Sequence, residues 1–407
     1  MKANILDALP TAFDLLALVI SLGALGCRLG ILPAVEAVSG AVGMEAILRP
    51  LWRLLVICLT ALTVSSLAEL VGRAVEMSGL PLPDVLPLLP TILFHTHYGR
   101  VWLLRPLALT GLWARWCLGR RHRQSRLIPA LMFAMGALVA MTRSASGHAA
   151  DWGDPSFAEL MDWLHIMASA LWGGGLITLC AVMLPRVVKL PQRRRLTAEI
   201  ARQFSILAGV ALAGVLLTGL YNAWLQMGSI SAIWQTPYGR TLLVKLLLVL
   251  PLLALGGLNH YSRVPRLQRW SERPVARRSR GLSLLLTRRL AAGQHRRQAV
   301  QLVRRFTRSV RAEAILIVGI LMCTAVLLQG TPARHAAHSE HGRLAPTAPL
   351  APAGEMMQPA VLLPRHSFDD AKFGRRVGGK NARQCEASAP EQGAILSLGA
   401  VVPPVED

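Results

Sequence analysis

The sequence predicts an all-α, polytopic membrane protein of about eight transmembrane helices. Three observations carry that expectation. Hydrophobic residues fill 53% of the 407 positions and charged residues only 16%, against roughly a quarter charged in an ordinary soluble domain. Runs of roughly 20 apolar residues recur through the first 330 positions, each long enough for a hydrocarbon core of about 30 Å. The basic residues concentrate in alternate connections between those runs, which is the positive-inside pattern.

The elements follow in order. A first span is expected over 10–32, preceded by one lysine and lacking a small-residue cleavage site, so it reads as an uncleaved helix. A second covers 50–75. The third and fourth, 100–118 and 127–142, are the shortest. The fifth to eighth cover 159–184, 203–227, 239–260 and 311–330. This divides the chain into 1–90 with two spans, 91–142 with two more, a core over 143–330, and a tail over 331–407 that begins with histidines. Residues from 343 onward are rich in Pro, Ala and Gly without apolar periodicity, the composition of a disordered segment.

The formal net charge is +22, from 44 Lys and Arg against 22 Asp and Glu. Its confinement to loops argues against nucleic-acid binding. Residues 119–126 and 185–202 are strongly basic, and 261–310 carries fourteen arginines and one glutamate, whereas 76–99, 143–158 and 228–238 are neutral or acidic. Basic loops face the cytoplasm, so eight spans place both termini outside, which for a bacterial inner-membrane protein is the periplasm. For 261–310, an amphipathic helix on the anionic leaflet and a solvated loop both fit. The six cysteines form no CxxC pair, and small-hydrophobe roles suit those in the spans.

A repeat runs through the chain. Thr96-His97-Tyr98-Gly99-Arg100 with Leu103 and Arg105 opens the third span, and Thr236-Pro237-Tyr238-Gly239-Arg240 with Leu243 and Lys245 opens the seventh. His148-Ala149-Ala150 after the fourth span is echoed by His335-Ala336-Ala337 after the eighth. Two four-helix halves in the same orientation are the simplest account.

Ionisable groups within spans are costly, so each is a functional candidate. His165 lies inside the fifth span, with Met161 one helical turn before it, Ser169 one turn after and Trp172 two turns after, all on one α-helical face. Imidazole with thioether suits copper, Cu(I) in particular; a histidine bonded to a neighbouring backbone is the plainer reading. His148 sits in the preceding loop. His95 and His97 precede the third span and point the same way only if the segment is extended. His335, His338 and His341 form an H-x-x-H-x-x-H tract, a composition associated with metal binding. Arg105 and Lys245 lie deeper than Arg100 and Arg240, with snorkelling, carboxylate pairing and repeat positioning as candidate roles. Glu69 lies in the second span. Glu313 reads either as a relay group or as a first-turn carboxylate at a helix N-terminus. Asn259 and His260 end the seventh span, and Gly173-Gly174-Gly175 suit close helix packing. Phosphate-loop, HExxH and GxSxG signatures are missing, which argues against an enzyme.

Gly147-His148-Ala149, His165 followed by Ala170-Leu171-Trp172-Gly173-Gly174, Thr218-Gly219, and Thr236-Pro237-Tyr238-Gly239-Arg240 with Lys245 and Asn259 resemble the copper resistance protein D (CopD) family. Thr96-His97-Tyr98-Gly99-Arg100 resembles the corresponding motif of that family's first half. The resemblance covers most of 90–335. It implies an eight-helix inner-membrane protein moving copper from periplasm to cytoplasm, often with a small periplasmic copper-binding partner of the CopC type. His260, where an arginine is more usual, and the long basic loop depart from the pattern. A different class, a b-type haem electron-transfer protein using the same histidines, is the alternative; only His165 is well inside a span, whereas a bis-histidine site requires two.

Overall fold

The computed structural model describes residues 8–147, 149, 151, 153, 155–190, 192–272 and 282–334, with side chains throughout except at 42 and 282–299. His148, His335, His338 and His341, and the tail from 343, lie outside the described residues.

The elements are α-helices, joined by short turns. They are α1 (Leu9–Gly30), α2 (Leu32–Ser78), α3 (Leu82–His95), α4 (His97–Arg121), α5 (Leu127–Ala145), α6 (Phe157–Val187), α7 (Arg193–Met227), α8 (Ala232–Gln235), α9 (Pro237–Glu272) and α10 (Leu282–Gln329). Gly40, at φ 66°, breaks α2 ahead of its membrane portion, a backbone angle that glycine adopts without strain. Val210, Leu217, Leu220 and Trp224 stand exposed along α7, as lipid-facing side chains do.

Among the described residues, seven helices are long and apolar enough to cross a membrane, one fewer than the sequence leads one to expect. The missing one is α4, which forms over 25 residues but carries Arg100, Arg105, Arg115, Arg120 and Arg121. The 261–310 connection also differs from expectation. Helix α9 continues to Glu272, and α10 begins at Leu282 and runs 48 residues, about 72 Å at 1.5 Å per residue. That far exceeds the bilayer core, so the basic segment extends the last span. Glu313 is therefore mid-helix, and the helix N-terminus cannot account for it.

Helix α1 is central and packs on α2, α5, α6 and α10. It crosses α6 backbone to backbone: a Cβ on Gly23 would overlap Gly174 and Gly175, and one on Gly174 would overlap the Val19 carbonyl. The glycine run is thus a close-approach site, as expected. Helix α6 contains two π-helical segments, Ala170–Gly174 and Leu179–Met183. The regular α spacing that aligns Trp172 with His165 ends at Ser169, and Trp172 joins the buried core instead.

The repeated motif is a helix start. Thr96 and Thr236 are extended N-caps whose hydroxyls accept from the amides of Gly99 (3.0 Å) and Gly239 (2.9 Å). Each hydroxyl also donates back to the preceding short helix, to Ile92 and Ala232. A side chain on Gly99 or Gly239 would collide with those same two carbonyls.

Candidate metal site

Helix α6 starts with a capping box, Ser156 with Glu159, which fixes where its first turns present polar side chains. Asp162 and His165, three residues apart, then face α7. The His165 Nδ1 lies 3.0 Å from the Thr218 Oγ. Thr218 donates its single hydroxyl hydrogen to the Gly214 carbonyl at 2.6 Å. It can therefore only accept from the ring, which places the proton on Nδ1 and the lone pair on Nε2. The ring also lies against the Val215 backbone. Gly219 leaves room for it, since a Cβ there would sit 3.0 Å from His165 Cε1. One turn further along α7, the Asn222 amide donates to Asp162 Oδ1 at 3.2 Å. Lys245 of α9 faces Asp162 and His165 electrostatically.

A second polar cluster lies in the preceding helices. Arg105 of α4 holds both oxygens of Asp14 of α1, at 2.6 and 2.5 Å, with the two side chains 3% and 0% exposed. Ser65 of α2 donates to Asp14 at 2.9 Å. Arg143 of α5 donates to both oxygens of Glu69 at 2.6 Å and lies 3.5 Å from Asp14. Two carboxylates and two guanidinium groups balance, which is how buried charges are tolerated. Arg143 and its neighbour Ser144 also face Asp162, linking this cluster to the histidine.

The remaining sequence candidates are dispersed. Met161 is half-buried one turn before His165. His95 and His97 are exposed and flank the extended Thr96, at the end of α3 and the start of α4. The Tyr98 ring lies 5.9 Å from the Arg73 guanidinium, and Arg100 is exposed. Arg240 donates to the Trp234 carbonyl at 3.0 Å, and Tyr238 packs beside Met227 and Ala333. Asn259 and Glu313 meet at the far end of α9. Asp14, Arg143, Asp162 and Asn222 belong to these polar clusters and were missed by the sequence reading; for the two aspartates, an acid inside an apolar run was the available signal. Among the described residues, no group of three or more His, Cys, Asp or Glu side chains comes together as a ready-made metal cage. The haem alternative finds no support: the partner of His165 is Thr218 rather than a second imidazole.

These features define a multi-pass helical membrane protein with one intramembrane histidine set in a chain of charged and polar side chains. The family model described as copper resistance protein D matches residues 198–327, and that of the copper resistance protein D-like N-terminal domain matches residues 11–156. The chain belongs to the copper resistance protein D family. It is 31% identical to the copper transport protein CutJ of Bacillus subtilis over 175 residues, covering 41% of this chain and 31% of that protein. It is 26% identical to copper resistance protein D of Pseudomonas syringae pv. tomato over 232 residues, 56% of this chain and 74% of the relative. To the inner membrane protein YebZ of Escherichia coli it is 28% identical over 182 residues, 44% and 59% of the two chains. The chain thus matches about a third of CutJ and just under three fifths of YebZ. No solved structure matches it. Membership and the apolar helices make it a multi-pass inner-membrane protein.

Proposed function

We propose that this protein carries copper ions across the bacterial inner membrane, from periplasm to cytoplasm, in copper homeostasis or resistance. The observation that carries the reading is the His165–Thr218 bond. Metal-binding histidines typically donate one ring N–H to a fixed acceptor, which orients the ring and leaves the other nitrogen for the metal. Nε2 of His165 is the nitrogen so left.

Copper is the cargo. His95 and His97, with His148 and the His335, His338 and His341 tract, form the outer capture ligands, supplied by a separate periplasmic copper-binding protein of the CopC type. His165 with Met161 takes the ion within the membrane, and Asp162 supplies negative charge beside it. A series of weak ligands suits passage, because an ion held in a tight cage does not leave. The outer ligands face the periplasm when both termini do, which holds when α4 counts as a span.

The test is copper accumulation in cells carrying His165→Ala, with membrane abundance measured in parallel. Accumulation falls to the level of cells lacking the protein while abundance is kept; undiminished accumulation would remove His165 from the route.

A further inference from the structure

A second polar site sits at the other end of α9. Asn259 is fourteen residues beyond Lys245 (259 − 245 = 14), about 21 Å of helix rise away. It opens a π-helical segment, Asn259–Arg263, a local widening that recurs at functional positions. Facing it from α10 is Glu313, 3% exposed.

The hydrogen bonds here have a definite direction. The Arg263 guanidinium donates to Asn259 Oδ1 at 2.7 Å. That turns the Asn259 amide nitrogen toward Glu313, where it donates to Oε1. The Ser309 hydroxyl donates to the same oxygen at 3.3 Å. Oε2 receives no hydrogen bond among the described residues. Every polar neighbour is a donor, and the one remaining acceptor, Asn259 Oδ1, is taken by Arg263.

Three other acids in the bundle are neutralised by arginine: Asp14 by Arg105, Glu69 by Arg143, Glu45 by Arg123. Glu313 has no cation within 4 Å among the described residues. Arg263 faces Glu313 electrostatically but spends its hydrogen bond on Asn259, and Arg305 in turn faces Arg263. On the neighbouring segments, Arg311 is turned to Cys180 and His260 bonds Ser205 at 2.6 Å. A buried carboxyl in this position is accommodated either by a proton or by a counter-ion, and the nearest cation, Arg263, is bonded to Asn259 rather than to the carboxyl.

We propose that Glu313 is a proton-binding site, taking a proton on Oε2 and releasing it again, with Asn259 and Arg263 holding the carboxyl in place. An O–H bond to Oε2 forms and breaks, the proton coming from and returning to water, and nothing is oxidised or reduced. That this exchange accompanies copper movement rests on the function proposed above; the proton site itself does not.

The test is infrared spectroscopy of the full-length protein in lipid across a pH series. A protonated carboxylic acid has a carbonyl stretch distinct from that of a carboxylate. One such band is expected to titrate in the wild type and to be lost in Glu313→Gln. Identical titrations in the two proteins overturn the proposal. Should Glu313→Gln fail to reach the membrane, Asn259→Ala keeps the carboxyl and removes its oriented donor. The midpoint of the band then shifts, and an unmoved midpoint overturns the proposal. Vesicles loaded with a pH dye and given a copper gradient separate the two readings. A titrating band with no copper flux sinks the transport function and leaves the proton site standing; copper flux without such a band does the reverse.

Discussion

Arg105 and Lys245 occupy the same register of one repeated motif, each nine residues after a threonine N-cap, yet they meet different surroundings. Arg105 closes on Asp14 with two short hydrogen bonds, and Lys245 faces Asp162 and His165 with no ion pair within 4 Å among the described residues. Asp14 and Asp162 are each followed by a serine seven residues on, Ser21 and Ser169. The first half thus fills its polar positions with fixed ion pairs. The second half uses the same framework to present an imidazole. The difference in cation matters, because guanidinium forms rigid two-pronged bonds to carboxylates whereas an ammonium group is a mobile point charge.

Lys245→Arg is therefore expected to close the second site. A guanidinium reaching Asp162 reproduces the Arg105–Asp14 pairing beside His165 and excludes a second cation. Copper bound by the purified protein should fall while its thermal stability holds or rises. Unchanged copper content with unchanged stability would refute the equivalence of the two positions.

The Asp14–Arg105 pair should govern folding rather than transport. Removing one partner of a buried ion pair costs about 3–5 kcal/mol, because the other charge is stranded. Arg105→Ala should lower the unfolding temperature in detergent and the amount of protein in the membrane. The double variant Asp14→Ala with Arg105→Ala should recover much of that loss, since it leaves no unpaired charge. A double variant as unstable as the sum of the two singles would show that the pair does not act as a unit.

Thr218 should set the affinity of His165. Thr218→Val keeps the shape and removes the acceptor that holds the ring proton, and loss of such an outer partner typically weakens metal binding about 10–100-fold. Thr218→Ser keeps the oxygen and should stay near wild type. Gly219→Ala brings a methyl to 3.0 Å from His165 Cε1 and should act like Thr218→Val, by displacing the ring. Copper titration of the purified variants decides; equal affinities for Val and Ser at 218 would mean that the hydroxyl has no part in the site.

Much of this was legible in the sequence, and the limits have physical causes. Length and apolarity located the spans because lipid leaves the backbone few alternatives to helices. The Thr-x-Tyr-Gly-Arg repeat pointed to matching places in the chain, and both copies form the same N-cap. His165 was visible because an imidazole in an apolar run is costly. What hydropathy cannot convey is pairing: Arg105 counts against a span unless its partner is known, and Asp14 lies 91 residues away. The place of Trp172 was lost to a π segment that departs from the spacing of 3.6 residues per turn. Of the two readings of Glu313, the first-turn carboxylate fell because α10 extends far beyond its apolar part.

The pairing of Arg105 bears directly on topology. An arginine at the centre of a span costs about 2.5–3.5 kcal/mol on insertion scales, and α4 falls short of the apolarity of the other seven helices. Asp14 offsets that cost by holding Arg105 at two oxygens inside the bundle, so α4 should cross the membrane with the rest. The residues that bracket it then lie on opposite faces. Leu82→Cys and His122→Cys, both exposed positions, should react with a membrane-impermeant thiol reagent from opposite sides, the first periplasmic and the second cytoplasmic, in a background lacking the exposed Cys117 and the tail's Cys385. Labelling from the same side would take α4 out of the membrane and put the two ends of the helical region on opposite faces. The outer histidines before α4 and the tract after α10 could not then both receive copper from the periplasm.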